Sequence, residues 1–212
     1  MRVHGELEIA GAPAAIEHAL GEIEQSLTNG WSRSTELERR ARMDGRCFVC
    51  TESGQRRAAS LWLVPRHSRN EWWVSNIVPG DAGSLTFDEY NDILQEFHDL
   101  FVRPVADRLQ VVTVRRGKMD EDLQDWMTPD AANLLRDFSR SANRSTGSSH
   151  PMDRDRWFAF LTRVHRDRRG PDATTLERWL VEHENWSETV ASEIAIEYEF
   201  ATALLRYYDA AR

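Results

Sequence analysis

The chain has 212 residues, 41% of them hydrophobic and 29% charged, with a formal charge of −8. This is the composition of a folded protein, far from that of disordered chains, and the length allows one domain or two modest ones. The negative charge opposes general affinity for nucleic acid or anionic lipid, which need a surplus of Lys and Arg, and no run of 18 apolar residues forms a membrane span.

Residues 1–11 carry His4, Glu6 and Glu8 and lack the basic start and apolar run of an export signal. The only cysteines, Cys47 and Cys50, are neither a disulfide scaffold nor the four ligands of a structural zinc site. A reducing, cytoplasmic setting is therefore expected, with no metal or cofactor.

In chain order, Val3, Leu7 and Ile9, interleaved with Glu6 and Glu8, give the period of a strand. Gly11-Ala12-Pro13 then starts a helix whose inner face is Ile16, Ala19, Leu20, Ile23 and Leu27 and which ends at Asn29-Gly30. Residues 31–45 are charged and ambiguous. Three short β-rich runs follow, at 47–51, 58–64 and 72–78, and their connections are too short for helical crossovers, so antiparallel pairing is expected. Thr86 and Glu89 form a capping box before a long helix with Tyr90, Ile93, Leu94, Phe97, Phe101 and Val105 inward. Pro104 should bend or split that helix, and residues 111–114 read as one more strand.

Beyond Arg116 the pattern is helical. Thr128-Pro129 opens one helix, and a second begins near Asp153 and buries Trp157, Phe158, Leu161 and Val164. A Thr174/Glu177 capping box opens a third, and Ser187 caps a last one with Val190, Ile194, Tyr198, Ala201, Leu205 and Tyr208 in a stripe. The expected fold is α+β: a mixed or antiparallel sheet of about four to five strands with two helices over residues 1–118, then an all-helical, more acidic region over 119–212 forming a small bundle.

Candidate sites are few. Cys47-Phe48-Val49-Cys50 has the spacing of a redox or half-zinc motif, but it lies in a β-rich tract, where residues three apart point to opposite faces. Cys50 or Ser149 with His67 or His150 would make a nucleophile and base if they met. The stretch Ser145-Thr146-Gly147-Ser148-Ser149-His150, beside Arg144 and Asp153, could hold an anion on backbone N–H groups, although it lacks the lysine of a phosphate-binding loop and is also ordinary connector chemistry. His165-Arg166-Asp167 copies three letters of a kinase loop without its companions, and His183-Glu184 lacks a zincin's second histidine. The region 179–205 has a helix-turn-helix outline but presents Glu188, Glu193, Glu197 and Glu199 where DNA readers carry basic or amide side chains. Trp72 and Trp73, next to each other in a strand, must face opposite sides, so one indole would anchor a partner or ligand unless a helix covers that face.

The preferred expectation is a non-catalytic binding or accessory protein with a protein partner. In outline the chain resembles bacterial immunity and antitoxin proteins, small acidic α+β chains that block a partner. This is a likeness of size and charge, and it implies an inhibitory role. The alternative is a hydrolase or transferase with its site around loop 145–150. Oligomeric state is not legible in the sequence.

Overall fold

The computed structural model describes residues 1–42, 44–66 and 70–211. The chain divides into two compact units, residues 2–120 and residues 121–212 with Met1.

The first unit runs β1 (Leu7–Gly11), α1 (Pro13–Ser26), β2 (Trp31–Arg33), α2 (Thr35–Ala41), β3 (Arg46–Cys50), β4 (Ala59–Pro65), β5 (Glu71–Pro79), α3 (Phe87–Phe97), a π-helical turn at His98–Val102, α4 (Arg103–Leu109) and β6 (Val112–Arg116). Its strands form one sheet in the order β2-β3-β4-β5-β1-β6, and every neighbouring pair is antiparallel. The sheet thus has six strands among the described residues, against the expected four to five. The addition is β2, a three-residue strand in the charged segment 31–45, anchored by Trp31, whose ring lies 5.2 Å from that of Phe97 and 6.0 Å from that of Phe101. One aromatic anchor fixes an edge strand too short to show a period.

Alternation along the strands sends Leu7, Ile9, Phe48, Leu61, Leu63, Trp72 and Val74 to one face, where they meet Ile16, Leu20 and Ile23 of α1 and Ile93, Leu94 and Phe97 of α3. Each such side chain, fully buried, contributes roughly 1.5–3 kcal/mol. Ser75 is an extra residue between the Leu63–Val74 and Trp62–Asn76 pairs. This bulge shifts the phase of β5, so Ile77 rather than Asn76 continues the buried series. The Thr86–Glu89 capping box is present. Pro104 acts through the widened π turn just before α4, which accommodates a ring that would otherwise press on the carbonyl four residues back.

The second unit is helical: α5 (Leu123–Trp126), α6 (Pro129–Ser141), α7 (Pro151–Asp167), α8 (Ala173–Glu182) and α9 (Glu188–Ala210). Thr128 caps α6 and Ser187 caps α9. The expected Thr174 cap is replaced by Asp172, which accepts from the Thr175 N–H at 2.7 Å, so α8 begins two residues earlier. Phe158, expected inward on α7, is 49% exposed, and Phe160 takes the buried place. The core centres on Phe138, Trp157, Phe160, Trp186 and Tyr198, with the Phe138 and Trp157 rings 4.8 Å apart. Among the described residues no helix is long and apolar enough to cross a membrane.

Candidate functional site

The most developed concavity in the sheet unit follows from a mismatch in strand pairing. β5 pairs with β4 from Trp72 to Pro79, interrupted only at the Ser75 bulge. On its other side β1 pairs only with Glu71, Trp72 and Trp73. From Val74 onward that edge has no strand partner among the described residues, and backbone groups that would join a ladder face a groove of about 430 Å³. The far wall is His4, Gly5 and Glu6, and Leu85 and Tyr90 also line it.

Residues 3–6 stay away from β5 because other elements hold them. Asn91, on α3 and only 4% exposed, accepts from the Gly5 N–H at 2.7 Å and donates to the Val3 carbonyl at 2.8 Å. Val3 N–H bonds the Met119 carbonyl, and the Glu6 carbonyl accepts from Gly117. A Cβ on Gly5 would lie 3.1 Å from Leu94 and 3.2 Å from the Asn91 amide oxygen, so any other residue would push both neighbours by a few tenths of an ångström. The His4 ring packs tilted against those of Phe87 and Tyr90, at 4.5 and 4.3 Å between centroids. Burial, followed by the Glu6 carboxylate, raises the Tyr90 hydroxyl pKa, so the phenol stays neutral.

The tryptophan pair divides across the sheet. Trp72 is buried in the core, whereas Trp73 is half-buried on the opposite face at the end of the groove. The Arg66 guanidinium sits 5.2 Å from the Trp73 ring, a cation–π arrangement. Glu8 ties the same neighbourhood together, 2.9 Å from Arg115 and 3.8 Å from Arg66.

In the helical unit, the loop residues named from sequence are engaged locally. Ser148 donates to Glu197 at 2.7 Å and Ser149 to the Thr146 carbonyl at 2.5 Å. His150 is the N-cap of α7, its Nδ1 accepting from the Met152 N–H at 3.3 Å. Gly147 has φ +57°, and a Cβ there would lie 3.1 Å from Ile194 of α9. His150 and Asp153 line a shallow depression of about 420 Å³, but Arg144 does not, and Asp153 is paired with Arg156 at 2.8 Å. Arg144 is exposed. His67 lies outside the described residues.

Cys50 belongs to the sheet core, and Cys47, equally buried, lies outside that cluster, so the two thiols do not converge. Burial pushes the Cys47 thiol up to about 12 and the Cys50 thiol upward as well, which keeps both protonated and poorly nucleophilic. His165 bonds Asp209 at 2.8 Å, while Asp167 accepts from the Thr128 hydroxyl and from Arg163 at 2.9 Å. These bonds, the Thr128 hydroxyl first, hold the Asp167 carboxyl below its ordinary range. A depression of about 510 Å³ beside them is lined by Arg168, Arg169 and Arg206 with Tyr198, whose hydroxyl donates to the Pro171 carbonyl at 2.9 Å. No group of three or more His, Cys, Asp or Glu side chains that could hold a metal occurs among the described residues.

Sequence reasoning singled out Trp73 but missed the groove, which depends on where β1 parts from β5. A signal was available in Asn91, a polar residue on the otherwise apolar face of a helix. Compared with known proteins, the chain matches no protein-family model, no curated protein and no solved structure.

Proposed function

We propose that this is a non-catalytic binding protein that takes an extended segment of a partner protein into the β5 groove by strand addition. The observation that carries this reading is the β5 edge from Val74 to Pro79, unpaired beside a wall that Asn91 holds apart from it. A segment entering there would find main-chain partners, each bond contributing a net of about 0.5–1.5 kcal/mol. Its alternate side chains would meet Trp73 on one face and Leu85 and Tyr90 on the other. Glu6 in the wall, together with the overall charge of −8, favours a segment carrying Arg or Lys. An accessory or inhibitory role of the antitoxin kind fits such a mode of binding.

The rival reading, a hydrolase or transferase at loop 145–150, rests on His150 and Asp153 sharing one depression. It is weaker because the Ser148 and Ser149 hydroxyls and the His150 Nδ1 already serve local bonds.

The test is affinity capture from the native host with the wild-type chain and with Trp73→Ala, read by mass spectrometry. The expected result is one protein recovered in stoichiometric amount by the wild type and depleted at least tenfold with the variant. Recovery of the chain alone, or equal recovery by both, would overturn the proposal.

A further inference from the structure

Helix α9 is apolar on two opposite faces. Its inner face, centred on Ile194 and Tyr198, is buried in the bundle. On the outer face Ile196, Phe200, Leu204 and Tyr207 are 65%, 68%, 55% and 76% exposed, with Ala203 among them. Single exposed hydrophobic side chains are ordinary, whereas a continuous stripe about three turns long marks a contact surface. Ile196, Phe200, Ala203 and Tyr207 are spaced four, three and four residues apart, the alternation of fours and threes that a two-helix coiled-coil seam uses.

The charges beside the stripe indicate what covers it. Glu199 and Arg206 lie on one flank, both exposed, and neither side chain makes a hydrogen bond or ion pair among the described residues. In an antiparallel pairing of two copies about a point between Ala201 and Thr202, Phe200 packs on the second copy's Ala203, and Tyr207 on its Ile196. The same register sets Glu199 beside Arg206 of the second copy, and twofold symmetry repeats the pair. A parallel pairing would instead set Glu199 against Leu204 and leave both charges without partners. Phe200 meets the small Ala203 and opposite charges meet only in the antiparallel arrangement.

We propose that the outer face of α9 pairs antiparallel with the same face of a second copy of this chain. The inference is independent of the β5 groove, which belongs to the other unit.

Sedimentation equilibrium over a wide concentration range tests it on the full chain. The expected wild-type species has twice the chain mass, and Phe200→Glu reduces it to one chain. Glu199→Arg and Arg206→Glu each weaken self-association on the order of tenfold, because each turns two attractive contacts repulsive. Mixing these two variants restores a dimer, since every Arg then faces a Glu. A wild-type chain that is monomeric throughout, a dimer indifferent to Phe200→Glu, or a mixture that does not recover would overturn the proposal. Unfolding of monomeric Phe200→Glu by urea gives a further check: stability equal to that of the wild-type monomer is expected, and a marked fall would show that the stripe packs within its own chain, which also overturns it.

Discussion

Loop 145–150 and the β5 groove handle their polar groups in opposite ways. In the loop, hydroxyls and the histidine ring find partners within a few residues or on α9 and so shape the entry to α7. In the groove, a strand in the middle of a sheet keeps one edge unpaired because its natural neighbour is fastened elsewhere by Asn91. Polar groups satisfied locally define structure and leave little to offer a ligand. Backbone groups kept from their ladder retain bonding capacity that an incoming strand can use.

The tryptophans give the largest test of this contrast. Trp72→Ala should cost about 3–5 kcal/mol as a core truncation, while Trp73→Ala should cost about 1 kcal/mol and act mainly on binding. Urea unfolding of both variants measures this, and equal losses would place Trp73 in the core. Next in size, Asn91→Ala removes two bonds and leaves the Gly5 N–H and Val3 carbonyl in need of partners, at about 2–4 kcal/mol in the same assay. Partner capture should fall with it, since the far wall is no longer held. His150→Ala removes only a cap, for about 0.5–1 kcal/mol, with capture unchanged. A large loss of any function in that variant would break the contrast and return weight to the loop.

The smallest expected effect is one of pH. Asp167 has its folded pKa depressed by the Thr128 hydroxyl and Arg163, so its contribution is present above the unfolded value of about 3.9 and is lost as pH falls through the folded value. Asp167→Asn should therefore lower the melting temperature at neutral pH and narrow the difference between pH 7 and pH 3. A variant whose melting temperature falls with acid as steeply as the wild type would assign that loss to other carboxylates.

Local signals in the sequence carried the α+β class, the opening strand and helix, the three β-rich runs and the caps at Thr86, Thr128 and Ser187, because these depend on residues only a few positions apart. The sequence did not reveal that β1 lies between β5 and β6, a pairing over more than a hundred residues for which no periodicity exists. The groove shares that cause. β2 was hidden by its length, and the second apolar face of α9 by the assumption that a helix has a single buried stripe. Alternation alone separates Trp73 from Trp72, so their division across the sheet was legible, whereas the bonds of Ser148, Ser149 and His150 depend on how the connection from α6 to α7 folds, and Arg144 is exposed.

The position of the open edge also bears on aggregation. An exposed strand at the rim of a sheet can template the next chain, and the next, toward a fibril. Here the vacant edge lies inside the sheet, faced by residues 4–6, and the Ser75 bulge twists it. On the strand-addition proposal, a strand that enters is walled on its far side by residues 4–6, so addition would stop after a single event and the edge would stay available without starting uncontrolled growth.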